Sequence, residues 1–243
     1  MKFFHFFIDN FPSFSLISWL LPLSLIWSFL ALYISGFCKR KLHWKTGYTR
    51  KLFHFFIFIS AYFYQTYVGI SGVFILGWAV TLVLIYACFK ADGNMLYEAI
   101  AREKDAPHRT KYIVYSYLAT FAGGVLSNIF FGQYAIIGYA VTGIADAIAE
   151  PIGTRFGKHT YPVFSFDKNK ISIRSVEGST AVFLATFLIF CVIAFPISMK
   201  MALVYAGISF ACMLTEALSP SGFDNLVLQI VASFLASICL ISF

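Results

Sequence analysis

Charge is what this chain has least of: only 12% of its 243 residues are Asp, Glu, Lys or Arg. A soluble domain carries about a quarter, so a solvated surface over the whole length is excluded. The five cysteines, Cys38, Cys88, Cys191, Cys212 and Cys239, lie in or at the ends of apolar runs without a CxxC pair. That spacing argues against a zinc site or a disulfide framework and leaves them as packing residues. No GxxxxGK[ST] loop is present, and no GxGxxG follows a strand pattern, which removes the common nucleotide-binding folds. Repeats, low-complexity tracts and linkers are missing too.

What remains is 60% hydrophobic, in runs too long for core helices and too continuously apolar for the alternating strands of an outer-membrane barrel. A helix satisfies its own backbone in lipid. The expected fold is therefore an all-α, polytopic transmembrane bundle with about eight spans, forming a single integral membrane domain, residues 1–243. The spans are read as Phe14–Phe37, Leu52–Tyr67, Ile70–Phe89, Tyr112–Phe131, Gln133–Glu150, Ser179–Pro196, Met201–Leu218 and Asn225–Phe243. The first is too long for a signal-peptide h-region and has no small-residue cleavage pattern after it. Of 18 basic residues, 16 fall in three loops, Lys39–Lys51, Lys90–Lys111 and Arg155–Arg174. The positive-inside rule makes those loops cytoplasmic, with both termini outside. Ten of the 11 acids share that side. Within the second loop, Met95–Lys104 has its apolar residues at helical spacing, as expected of a helix along the membrane surface.

Four clusters converge on the predicted inner face. The first is Arg50, Lys51 and His54 at the start of span two. Basic residues there serve topology, yet an imidazole one turn into lipid needs a partner. The second is Asp146, Glu150, Pro151, Gly153, Arg155, Gly157 and Lys158. Its carboxylates, four apart, lie on one helix face and could share Mg²⁺ through water and phosphate oxygens. Pro151 is expected to end the helix. Gly153 and Gly157 would leave N–H groups open to phosphate. The bland alternative is a pair of acids neutralised by basic groups from a neighbouring helix. The third, Arg174-Ser175-Val-Glu177-Gly178-Ser179, is either a helix cap or an anion clamp. The fourth, Glu216 through Pro220, Gly222, Asp224 and Asn225, is either a capped turn or a set of oxygen ligands for a hard cation.

The order and spacing of these motifs resemble the CTP-dependent polyprenol kinase family, which includes dolichol kinase, phytol kinase and the CTP-using diacylglycerol kinase of fungi. The resemblance rests on Arg50-Lys51-x-x-His54, Asp146-Ala-x-Ala-x-x-x-Gly153-x-Arg155-x-Gly157-Lys158, Arg174-Ser175-x-Glu177-Gly178-Ser179, and Glu216 followed by Gly222-x-Asp224-Asn225. It covers about spans two to eight. Two positions depart: Ala145 stands where the family commonly has Gly, and Arg174 where it commonly has Lys.

The resemblance implies Mg²⁺-dependent transfer of the γ-phosphate of CTP to the hydroxyl of an isoprenoid or other long-chain lipid alcohol, with no nucleic acid involved. It implies Asp146, Glu150, Glu177 and Asp224 as metal ligands, with Asp146, Glu150, Glu177 and His54 in catalysis. Arg50, Lys51, Gly153, Arg155, Gly157, Lys158, Arg174, Ser175, Gly178 and Asn225 would then bind the nucleotide. Two other readings stay open: a CTP-dependent cytidylyltransferase making a CDP-lipid, whose long signature is not found here, and an ion- or proton-coupled transporter, which would place acids near the bilayer midplane. The shortness of the chain suggests a bacterial inner membrane, with the site facing the cytoplasm. Oligomeric state has no signature in the sequence.

Overall fold

A computed structural model describes residues 2–164, 172–220 and 222–239. The fold divides into two compact units, residues 1–114 and 115–243.

The first unit holds α1 (Lys2–Asp9), α2 (Phe14–Leu42), α3 (Thr46–Tyr67), α4 (Ile70–Lys90) and the short α5 (Met95–Glu98). Lipid offers no hydrophobic drive for one apolar helix to choose another, so small residues and interhelical hydrogen bonds do the selecting. Trp27 Nε1 donates to Ser60 Oγ at 2.7 Å, and the hydroxyls of Ser24 and Tyr64 meet at 2.9 Å. Both join α2 to α3. Ala31 and Leu32 of α2, with Ile75, Leu76 and Ala79 of α4, are buried.

The surface helix expected over Met95–Lys104 does not form. Helix α5 stops at Glu98, and a 3₁₀ turn follows at Glu103–Asp105. Side-chain pairing explains the break. Arg109 reaches back with Nη1 to Glu98 Oε1 at 3.0 Å and Nη2 to Glu98 Oε2 at 2.7 Å, and Nη2 also donates to the Ala101 carbonyl. Lys39 Nζ donates to Thr46 Oγ1, the Glu98 carbonyl and Glu103 Oε1. Leu96, Tyr97, Ala99, Ile100 and Ala101 are buried in the unit's interior. Partial burial pushes the Glu103 carboxyl up, but hydrogen bonds from Lys39 and Thr46 outweigh it and hold the group down at about 2.

The second unit takes most of α6 (Arg109–Phe131), then α7 (Ala135–Val141), a π-helical turn (Thr142–Asp146), α8 (Ala147–Phe156), β1 (Thr160–Val163), β2 (Ser172–Ser175), α9 (Val176–Ile193), α10 (Met199–Leu218) and α11 (Asp224–Cys239). Helical structure runs from Arg109 to Phe156, yet it is not one rod. Asn128 Nδ2 donates to Tyr139 Oη at 2.7 Å, whereas 11 residues along a straight helix span about 16 Å. Gly132, with φ +55°, makes the reversal between α6 and α7. Helix α11 closes on α6 through polar groups: Asn225 Nδ2 donates to Thr120 Oγ1 at 2.9 Å, and Gln229 Nε2 to the Thr120 carbonyl at 3.2 Å.

The described residues thus form an all-α bundle carrying one antiparallel pair of four-residue strands, β1 with β2. Among the described residues, five stretches are long and apolar enough to cross a membrane, Phe14–Leu42, Ile70–Lys90, Arg109–Phe156, Val176–Ile193 and Met199–Leu218, while Asp224–Cys239 is apolar but shorter. Sequence reading differs from the structure in two further places. The strand pair stands where only a polar loop was expected. Pro151 does not end the helix: α8 continues to Phe156. The proline removes a single intrahelical donor, the partner of the Ala147 carbonyl, and the turn beyond it is held by close packing on α9.

Candidate functional site

The second motif begins in the π-helical turn. Asp146 is its last residue and 1% exposed, and Thr142, its first, is fully buried. Single π turns insert an extra residue into a helix and concentrate at functional sites. Glu150 follows one turn later, half-buried, in the first turn of α8.

Where α8 ends, three glycines set its contact with the third motif. A Cβ on Gly153 would lie 2.9 Å from Ser175 Oγ, one on Gly157 2.8 Å from the same atom, and one on Gly178 2.9 Å from the Ala149 carbonyl. Side chains at these positions would force α8 and the β2–α9 junction apart. The N–H groups expected to stay open for phosphate are used internally. Gly153 lies inside α8, and Gly157 donates to the Gly153 carbonyl at 3.1 Å; in the third motif Gly178 donates to Ser175 Oγ at 3.1 Å. Ser175 is thereby the N-cap of α9. The glycines make room for packing, and the groups left facing solvent are side chains: Arg155, whose guanidinium lies 5.3 Å from the Phe156 ring centre, and Lys158.

Arg174 on β2 joins the third motif to the fourth. Its Nη1 is ion-paired with Glu216 Oε1, and its Nη2 lies 3.2 Å from Asp224 Oδ2 and 3.1 Å from the Ser219 carbonyl. All three charged side chains are at most 15% exposed. A guanidinium between two carboxylates is satisfied in low dielectric, so the arginine read as a phosphate clamp is held by protein acids. Asp224 Oδ1 also accepts the Asn225 N–H.

Glu177 points back across the start of α9. Its Oε1 lies 2.9 Å from His159 Nδ1, and the His159 N–H lies 3.3 and 3.4 Å from its two oxygens. Among the described residues no group of three or more His, Cys, Asp and Glu forms a metal cluster.

The structure therefore links the second, third and fourth motifs within one unit. Gly153, Gly157, Ser175 and Gly178 form one junction, and Arg174, Glu216 and Asp224 another. The first motif belongs to the other unit, on α3: Lys51 is buried, Arg50 and His54 are half-buried, and the His54 ring centre lies 4.4 Å from that of Phe58. Sequence reading missed His159 and Ser219. His159 had a signal, following Lys158 directly in a motif already singled out; the Ser219 carbonyl had none.

No family model matches the chain, and no solved structure matches it. It is similar to a curated phytol kinase from Synechocystis sp., 31% identical over 106 residues. That match spans 42% of this chain and 43% of the relative's own length.

Proposed function

We propose that this protein is a membrane lipid kinase, transferring the γ-phosphate of CTP to the hydroxyl of an isoprenoid or other long-chain alcohol. The observation that carries the reading is the physical linkage of three motifs, separated by up to about 80 residues, within the unit that holds the buried Asp146. The partial likeness to a phytol kinase supports the same chemistry. Phosphoryl transfer asks the protein mainly to position reactants and neutralise charge, and exposed Arg155 and Lys158 at the far end of the helix that follows the buried Asp146 suit that task. The bundle is read with about eight spans, the basic loops in the cytoplasm of a bacterial cell and the alcohol entering from the inner leaflet.

A resident Mg²⁺ fits these residues in one mode. With no three-residue cluster among the described side chains, the metal would be held by one or two carboxylates together with substrate phosphates, which is how Mg²⁺ is commonly bound in phosphoryl transfer. Asp146 and Glu150 are the pair for that role, four residues apart at the end of the π-helical turn and in the first turn of α8, while Asp224 pairs with Arg174 and Glu177 with His159. When bound, the metal would neutralise phosphate charge. Arg155 and Lys158 bind and orient the triphosphate. Arg174 holds the hairpin on the α10–α11 turn, so any phosphate contact it makes exchanges one of its carboxylates.

The test is transfer by purified protein in detergent to phytol, farnesol, geranylgeraniol, long polyprenols and diacylglycerol, with CTP and Mg²⁺. Phospholipid product that needs Mg²⁺ and falls at least 100-fold in Asp146→Asn supports the reading. Full activity in Asp146→Asn removes the central assignment.

A further inference from the structure

His159 lies in the connection from α8 to β1, laid across the first turn of α9. Its carbonyl accepts the Val176 N–H at 2.9 Å, its own N–H faces the Glu177 carboxylate, and its ring Nδ1 lies 2.9 Å from Glu177 Oε1. The ring is nevertheless 78% exposed. A carboxylate only accepts hydrogen bonds, so Nδ1 carries the hydrogen, and in the neutral ring Nε2 is then the nitrogen whose lone pair faces solvent. An exposed side chain rarely gives up its rotamer freedom for a surface contact alone. Here backbone and ring are pinned by the same glutamate.

The surroundings indicate what meets that lone pair. Lys158 immediately precedes His159 and Arg155 lies one turn back, both exposed, so a phosphate-bearing ligand is favoured on one side. Phe156, Ile173 and Val176 are large apolar side chains on the adjoining segments, 58%, 67% and 51% exposed. Val176 opens a helix long and apolar enough to span a membrane, so this apolar patch lies at one end of a candidate span. Basic groups and exposed apolar groups together suit the meeting of a polyphosphate with a lipid whose polar end is uncharged.

Resting on the kinase reading above, we propose that His159 is the catalytic base for the lipid alcohol and that Glu177 is the positioning residue that holds it. Nε2 accepts the hydroxyl proton as the alcohol oxygen forms its bond to the γ-phosphorus. The bond from that phosphorus to the β,γ-bridging oxygen breaks, and its electron pair leaves on the nucleoside diphosphate. The carboxylate of Glu177 keeps Nδ1 protonated throughout, fixing the tautomer.

Two variants separate this from a structural role. An Asn side chain at 159 can place its amide N–H where Nδ1 stands and keep the tie to Glu177, but has no counterpart of Nε2. The expected result for His159→Asn is an unchanged thermal midpoint and nucleotide KM, with kcat lowered at least 100-fold. His159→Ala loses kcat similarly and regains at least 10-fold with added imidazole. Wild-type activity in His159→Asn, or absence of imidazole rescue in folded His159→Ala, overturns the assignment while leaving the kinase intact. A folded wild type that phosphorylates no alcohol overturns the kinase reading and this base together.

Discussion

Replacing Arg174 by Met should cost about 3 kcal/mol of stability. The substitution keeps an unbranched apolar stem but removes a charge paired with both Glu216 and Asp224, whose side chains are 6% and 12% exposed. Removing one partner of a buried ion pair costs roughly 3–5 kcal/mol, because the remaining charge is left in low dielectric. Residual exposure of Arg174, at 15%, argues for the lower end. In a chain of this size that is a fall in thermal midpoint of about 10 °C. The probe matters, since all four tryptophans, Trp19, Trp27, Trp44 and Trp78, lie in the first unit and would not report on this network. Cys212, fully buried on α10 one turn before Glu216, is a better reporter. With the other four cysteines replaced, its reaction with a thiol-specific dye on heating follows the second unit alone. Adding Glu216→Gln and Asp224→Asn to Arg174→Met neutralises the stranded acids and should recover most of the loss. A single variant within 1 kcal/mol of wild type, or a triple variant no better than the single, would refute the buried-network account.

Gly178→Ala puts a methyl 2.9 Å from the Ala149 carbonyl and should destabilise the α8–α9 contact by about 1–3 kcal/mol, read by the same dye; a neutral result would show that the helices separate freely. Glu103, held at about 2, stabilises the fold fully above its ordinary value near 4.5, and that contribution fades as pH falls toward 2. The thermal-midpoint gap between wild type and Glu103→Gln, small because the side chain is 69% exposed, should therefore shrink between pH 5 and 3, and a gap that widens would contradict the pairing with Lys39. Ser60→Ala removes the acceptor of Trp27 and should cost about 0.6 kcal/mol, the usual worth of a hydrogen bond between membrane helices, visible as an earlier tryptophan transition.

Helix positions were legible because lipid demands continuous apolar runs, and those runs begin and end where α2, α4, α6, α9 and α10 do to within a few residues. The β1–β2 pair was not, since Thr160–Val163 and Ser172–Ser175 are too short and too mixed for a period of two to stand out. Nothing in Thr142–Asp146 announces a π turn, because one inserted residue leaves no break in an apolar stretch. The failure of Met95–Lys104 as a helix came from distant partners, Lys39 and Arg109, competing for Glu98 and Glu103. Motif order picked out segments that the fold gathers into one unit, at Asp146, Ser175 and Asp224, but not their partners. Arg174 reads as a free cation in the sequence and meets two carboxylates in the fold, and Glu177 reads as a metal ligand and meets His159.

The most direct test of the central claim is where the label goes. CTP labelled at the α- or the γ-phosphate is incubated in parallel with protein, Mg²⁺ and the alcohol panel, and the lipid phase is counted. The account predicts γ-label in lipid, no α-label, and loss of transfer in Asp146→Asn. α-label in lipid would mean a CDP-lipid and nucleotidyl transfer, contradicting the kinase; a folded protein that binds nucleotide and transfers neither label would contradict both enzyme readings.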